Sequence, residues 1–163
     1  IENSQPFIVN ARGQSLAIAH NGNLKTSIMI RRDLEAKGAI FQSTMDSEVI
    51  MHLIANSRAE SFVNRIIDAL KDVEGAYSLV FLDEENMIAV RDPLGFRPMV
   101  LGKIDDSYIV ASETCALDLV EAEYIREVEP GEMIIVNKKG LQSIKPFGES
   151  IKHSLCIFEF INK

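Results

Sequence analysis

Asn21 and Gly22, within Ala19-His20-Asn21-Gly22-Asn23, place side by side the two donors that a developing oxyanion needs. One is a side-chain amide, the other a backbone N–H that no side chain shields. The same dipeptide is the commonest tight-turn signal, so a plain turn and an oxyanion-binding corner are both open readings. Asp46 lies in the polar run Ser43-Thr44-Met45-Asp46-Ser47-Glu48, ahead of an apolar helical pattern. Its carboxylate is suited to a substrate ammonium, and Asp46 or Thr44 equally suits a helix N-cap. In Arg91-Asp92-Pro93-Leu94-Gly95-Phe96-Arg97-Pro98, Pro93 and Gly95 fit the second and fourth positions of a turn. The flanking charges Arg91, Asp92 and Arg97 read as a buried ion-pair brace in which Arg and Asp, so close together, satisfy each other, in preference to an anion site. Cys115 opens a short helix, where a thiol pKa falls, with Ser112 as a plausible cap. No His or Asn base lies near it in sequence, so a buried structural thiol is expected. His20 and His52 have apolar neighbours and no carboxylate or cysteine at metal-ligand spacing, which favours packed or surface imidazoles.

The elements that must position these residues follow from periodicity. Residues 7–10 and 16–20 read as a hairpin that ends in the Asn21-Gly22 corner, taken as a strand-to-helix junction. A helix is expected over 24–37, with Leu24, Ile28, Met29 and Leu34 on one face and Gly38 ending it. Two further helices follow, one carrying Val49, Ile50, Leu53 and Ile54, the other spanning about 60–70 with Phe62, Val63, Ile66, Ile67 and Leu70 inward. From Gly75 the pattern changes to short strands at 76–82, 87–91, 98–104 and 108–111, read as an antiparallel meander. A short helix at 114–120, strands at 124–128 and 132–136, and an apolar run at 154–161 complete the chain. Helices early and strands late predict an α+β layered domain with antiparallel sheets. With no GxGxxG or GxxxxGK[ST] motif, a nucleotide-phosphate loop is not expected.

Composition narrows the function classes. At 163 residues, 47% hydrophobic and 25% charged, the chain is one globular domain. Its 24 acidic against 17 basic residues give a net charge of −7, and no basic cluster is present to neutralise phosphates, so nucleic acid is not an expected partner. No apolar run approaches the length of a membrane span, and residues 1–6 carry no leader-like basic and apolar stretch; a cytoplasmic protein is expected. Cys115 and Cys156 are far apart without a CxxC partner, which supports neither a zinc site nor a disulfide framework.

Taken together, Ala19-His20-Asn21-Gly22-Asn23-Leu24, Thr44-Met45-Asp46-Ser47-Glu48-Val49, Arg91 to Pro98, Ser112-Glu113-Thr114-Cys115-Ala116-Leu117 and Pro130-Gly131-Glu132 resemble the class II glutamine amidotransferase domain. Within that class the resemblance is to the amidophosphoribosyltransferase family of purine synthesis, and it runs from about Pro6 to Ile161. It implies an N-terminal nucleophile hydrolase fold, a four-layer αββα sandwich of two antiparallel sheets between helical layers. It implies that an N-terminal cysteine attacks the side-chain amide of glutamine, that the residues matching Asn21 and Gly22 hold the oxyanion, and that the one matching Asp46 binds the substrate ammonium. The released ammonia would then form phosphoribosylamine in a separate domain that uses magnesium and phosphoribosyl pyrophosphate. In some members the cysteine matching Cys156 ligates a 4Fe-4S cluster, and the full-length protein is expected to be a homo-oligomer. Because the chain opens on Ile1, it is expected to be a partial domain, 1–163, incomplete at its N-terminus, with no cofactor of its own and inactive alone. Two alternatives remain at this stage: a non-catalytic glutamine-binding or regulatory module, and the glutaminase domain of another class II amidotransferase.

Overall fold

The computed structural model describes residues 4–11 and 13–147; the expected apolar strand at 154–161, with Cys156, lies outside them. The element order is β1 (Phe7–Ala11), β2 (Gln14–Leu24), α1 (Ser27–Ala36), α2 (Asp46–Asn56), α3 (Phe62–Leu70), β3 (Gly75–Leu82), β4 (Met87–Arg91), β5 (Val100–Ile104), β6 (Ser107–Ala111), α4 (Thr114–Leu119), β7 (Glu123–Glu127), β8 (Met133–Asn137) and β9 (Gly140–Ile144). Two antiparallel sheets result, one of six strands in the order β1-β2-β3-β4-β8-β9, the other of three in the order β6-β5-β7. The residues expected to form a single meander are therefore divided: β3 and β4 stay in the large sheet, while β5 and β6 leave for the small one. The switch lies at Asp92 to Met99, where the prolines at 93 and 98 withhold ladder donors. Strand β9 was not expected from the sequence, because Gly-Leu-Gln-Ser-Ile offers only weak alternation.

Period-two alternation sorts the side chains of the large sheet into two cores. On one face Leu16, Ile18, Leu79, Phe81 and Ile88 pack against Ile30, Ile50, Ile54 and Ile66 of the three early helices. On the other face Ala89 and Ile134 meet Met99, Leu101 and Val128 of the small-sheet layer. Each large apolar side chain fully removed from water in this way stabilises the fold by roughly 1.5–3 kcal/mol. Helix α4 covers the outer face of the small sheet, where Gly102 leaves room for Leu117: a Cβ at Gly102 would lie 2.8 Å from Leu117 Cδ2. The layers thus run helices, sheet, sheet, helix, as expected.

Helix α1 is shorter and differently phased than its pattern suggests. Leu24 is still strand, Ile30 and Leu34 are buried, and Ile28 and Met29 are 67% and 61% exposed. Five apolar residues in ten positions define more than one face, and packing on the sheet selects among them. Gly38, at φ +91°, ends the helix as expected.

Glu132, 2% exposed, ties the far end of the sandwich together. Its carboxylate accepts from Arg126 Nη1 and Nη2 at 2.8 and 2.6 Å, from the Glu129 N–H at 2.7 Å and from the Ser143 hydroxyl. Burial opposes its charge, but the Arg126 and Ser143 hydrogen bonds outweigh burial and hold it below its ordinary value of 4.5. A carboxyl depressed by folding contributes stability that is present above its unfolded pKa and lost as pH falls through the folded one. Glu132→Gln is therefore expected to cost about 1–3 kcal/mol at neutral pH. Urea titrations at descending pH should show the difference between the two proteins shrinking below 4.5, the ordinary pKa.

Candidate active site

Asn21 and Gly22 do not form a turn. Strand β2 runs on through them to Leu24, with Asn21 opposite Ser78, Gly22 opposite Tyr77 and Asn23 opposite Ala76. The corner expected from Asn-Gly is replaced by two glycines that face each other's neighbours across the ladder. Gly22 has φ +150° and Gly75 φ +154°. A Cβ on Gly22 would sit 2.0 Å from the Ala76 carbonyl oxygen, and one on Gly75 2.3 Å from that of Asn23. The backbones approach here more closely than any side chain permits.

Strand geometry then fixes where each polar group points. Asn21, opposite Ser78 and two residues from Ala19, faces the inter-sheet side, and it is exposed. His20 shares the helix-side face with Ile18 and Leu24. The backbone N–H groups of one strand alternate between its two neighbours. His20 and Leu24 donate away from β3: the His20 N–H to Gln5 Oε1 at 2.6 Å, the Leu24 N–H to Asp46 Oδ2 at 3.0 Å. The Lys25 N–H goes the other way, to the Glu74 carbonyl beside β3, at 2.7 Å. By the same parity the Gly22 N–H lies on the outer edge, between two occupied donors. Strand β1 begins at Phe7 opposite Ile18 and does not cover this stretch, and the Gly22 N–H has no acceptor among the described residues. The Gln5 side chain completes the arrangement by donating to the His20 carbonyl at 2.8 Å, a role that nothing in the sequence signals.

Asp46 is the first residue of α2, not its cap; Met45 occupies the cap position without a side-chain bond. The turn before it is held instead by Glu48, which accepts from the Gln42 and Ser43 N–H groups at 2.7 and 2.8 Å and from the Ser43 hydroxyl at 2.7 Å. This frees the Asp46 carboxylate to reach the end of β2. Its Oδ1 has no hydrogen-bond partner among the described residues. Burial pushes the His20 imidazole below its ordinary value of 6.5, with Asp46 opposing the shift and Arg97 adding to it. His20 is therefore neutral at pH 7, and its Nε2, like Arg97 Nε, is buried without a partner among the described residues.

The Arg91 to Pro98 run is a brace, but not by mutual pairing of Arg91 and Asp92. Asp92, fully buried, gathers four backbone donors: Leu94 and Phe96 on Oδ1, each at 3.1 Å, and Arg97 and Tyr77 on Oδ2, at 3.0 and 3.3 Å. Arg91 donates elsewhere, to the Arg97, Gly95 and Val128 carbonyls and to Glu127. An Asp ahead of a Pro-initiated turn signals the Leu94 contact, whereas the reach to Tyr77 is visible only in the fold. Cys115 is exposed rather than buried, and its Sγ lies 3.3 Å from Glu113 Oε2; that hydrogen bond holds the thiol above its ordinary pKa. Glu113, not Ser112, occupies the cap position of α4, without a side-chain bond. His52 packs against Phe41 with the rings tilted by 51° and their centroids 4.3 Å apart. Among the described residues no three His, Cys, Asp or Glu side chains are grouped to hold a metal ion, and no helix is long and apolar enough to cross a membrane.

The profile of a family described as "Glutamine amidotransferase domain" matches residues 1–119. The chain belongs to this family. Among curated relatives, amidophosphoribosyltransferase 2 of Arabidopsis thaliana, a chloroplastic protein, is 49% identical over 99% of the chain. The amidophosphoribosyltransferase of Bacillus subtilis is 44% identical over 98%. The solved glutamine phosphoribosylpyrophosphate amidotransferase of B. subtilis, complexed with ADP and GMP, superposes with a TM-score of 0.94 at 43% identity, over 98% of this chain and 35% of that one. The glutamine amidotransferase domain described here spans 29% and 34% of the length of the two curated relatives.

Proposed function

We propose that this domain is the glutamine-hydrolysing part of an amidophosphoribosyltransferase, releasing ammonia from glutamine for phosphoribosylamine formation in purine biosynthesis. The observation that carries the reading is the outer edge of β2, where the Gly22 N–H has no acceptor among the described residues and lies between a donor taken by Gln5 and one taken by Asp46. In this proposal glutamine enters with its α-ammonium on Asp46 Oδ1 and its side-chain carbonyl oxygen toward Asn21 and Gly22. The N-terminal cysteine thiolate that the resemblance implies attacks the amide carbon. Negative charge then gathers on the oxygen, which the Asn21 Nδ2–H and Gly22 N–H stabilise more strongly than they do the neutral carbonyl. Collapse, with the thiol proton held by the cysteine's own α-amino group passed to the leaving nitrogen, expels ammonia and leaves a thioester, which water cleaves to glutamate. Cys115 is not that nucleophile: it sits on α4 beside a carboxylate that raises its thiol pKa. Magnesium with phosphoribosyl pyrophosphate, and a 4Fe-4S cluster reached by Cys156, belong in this proposal to the remainder of a full-length cytoplasmic homo-oligomer.

The test is kinetic, on the full-length protein. Asp46→Asn removes the charge that meets the substrate ammonium, so KM for glutamine should rise roughly 10- to 100-fold, the worth of a charge-assisted hydrogen bond. Activity with free ammonia should be unchanged. An unaltered KM for glutamine would overturn the assignment. Cys115→Ser should leave glutamine hydrolysis at the parental rate; loss of turnover in that variant would contradict the placement of the nucleophile outside α4.

A further inference from the structure

We propose that Asp92, which lies outside the substrate site, is a positioning residue for the Gly22 donor. The inference rests on the reading of Gly22 as an oxyanion donor given above. Burying a carboxylate with no paired cation is costly unless its lone pairs are saturated, and among the described residues Asp92 saturates them with backbone N–H groups alone. Bracing the turn would need only the Leu94, Phe96 and Arg97 bonds. The fourth crosses to another strand, and the reason lies in the ladder. Beyond Ser78 and Arg91 the next rung of β3 and β4 joins Tyr77 to Asp92. Half of it is ordinary, since the Asp92 N–H donates to the Tyr77 carbonyl at 2.9 Å. The Asp92 carbonyl, however, has turned away to accept from the Gly95 and Gly131 N–H groups, each at 3.0 Å. Its side chain supplies the missing acceptor, so that Asp92 extends the sheet by one rung past the point where the main chain leaves it.

Tyr77 is the residue opposite Gly22. Ladder parity turns the Gly22 N–H to the outer edge, and the Asp92 carboxylate, by holding the Tyr77 N–H on the β4 side, fixes the backbone against which Gly22 packs. Contact transmits the position as well: a Cβ on Gly22 would lie 2.9 Å from Tyr77 Cα and 2.0 Å from the Ala76 oxygen, so any shift of residues 76–77 moves Gly22 with it. The same carboxylate that organises the Arg91 to Pro98 run thereby sets the aim of the oxyanion donor.

Asp92→Asn in the full-length protein tests this, because the isosteric amide presents N–H to one of the two donor pairs. The expected result is a fall in kcat for glutamine hydrolysis of about 10- to 100-fold with KM within about threefold, the pattern of a lost transition-state contact. Affinity for glutamate γ-semialdehyde, whose carbonyl becomes an oxyanion when a thiol adds, should fall in the same proportion. Affinity for glutamate, which develops no oxyanion, should hold. Glu132→Gln serves as the comparison for simple destabilisation, expected to melt earlier with kcat and semialdehyde affinity intact. Unchanged kcat and semialdehyde affinity in a folded Asp92→Asn protein would overturn the proposal, as would parallel losses in glutamate and semialdehyde binding. Should Asp92→Asn not fold, hydrogen exchange on the unaltered protein decides: the Tyr77 amide should be protected and the Gly22 amide become so only with semialdehyde bound, and a freely exchanging Tyr77 amide sinks the idea. Asn21→Ala separates this from the underlying reading. If Asn21→Ala loses semialdehyde affinity and Asp92→Asn does not, only the role of Asp92 fails; if Asn21→Ala keeps it, the oxyanion reading itself fails.

Discussion

Asn21→Ala is expected to lower kcat for glutamine hydrolysis by about 10²–10³, equivalent to roughly 3–4 kcal/mol of transition-state stabilisation, with KM changed much less. The asymmetry follows from what the donor does. A neutral amide oxygen gains little from one more hydrogen bond in exchange for water, whereas the tetrahedral oxyanion carries a full charge that the bound substrate does not. Asn21 is placed for this by its strand. It lies on the inter-sheet face of β2, exposed, one residue from an N–H that the sheet leaves unclaimed. It is not packed in either apolar core, so the substitution should leave the melting temperature within about 2 °C, a surface-scale effect. Steady-state kinetics with glutamine, alongside the ammonia-dependent rate as a control on folding, give the measurement. A kcat within threefold of the parent would remove Asn21 from the mechanism.

Arg91→Ala is expected to cost about 3–5 kcal/mol of folding stability, a large share of what a domain of this size possesses. Arg91 is 4% exposed and spans the seam between the sheets. Nε donates to the Arg97 carbonyl at 2.7 Å, Nη2 to the Gly95 carbonyl at 3.1 Å, and Nη1 to the Val128 carbonyl and Glu127 Oε1, each at 2.6 Å. Truncation leaves three carbonyls without donors, those of Gly95 and Val128 in buried bonds, and a cavity where the guanidinium lay. At roughly 2–4 °C per kcal/mol, the melting temperature should drop by about 6–20 °C. Arg91→Lys should recover less than half of this, since a single ammonium cannot reach carbonyls arranged for a planar fork. A loss below 1 kcal/mol in thermal or urea unfolding would show that the seam is held by the apolar contacts of Met99, Leu101 and Val128 instead.

The two residues illustrate how far local pattern carries. That the Arg91 to Pro98 run braces a turn was legible, because Pro93 and Gly95 announce it, and the Gly95 N–H does bond the Asp92 carbonyl. How it braces was not, since sequence proximity suggests that Arg91 and Asp92 neutralise each other, while the fold gives each a separate set of backbone partners. Helix α1 was legible in existence but not in phase. Asp46 was correctly placed at the start of a helix, and its freedom from capping depended on Glu48 taking over the preceding turn. Cys115 looked buried because cysteines usually are, yet α4 turns it outward.

The order of the elements as far as β8, the α+β class and the motif set that marks a glutamine amidotransferase domain were determined by the sequence alone, through side-chain periodicity and turn chemistry that act over a few residues. The aim of the candidate site was decided only by tertiary structure. Asn-Gly prefers a turn locally, and it remains strand here because it pairs with Ser78 and Tyr77 of β3, Gly22 admitting the Ala76 carbonyl where a Cβ would collide. Whether the Gly22 N–H faces β3 or the outer edge depends on ladder parity and on where β1 begins, and the backbone it packs against is held by the rung that Asp92 supplies to Tyr77. Those are relations between segments far apart in the chain, and no local preference encodes them.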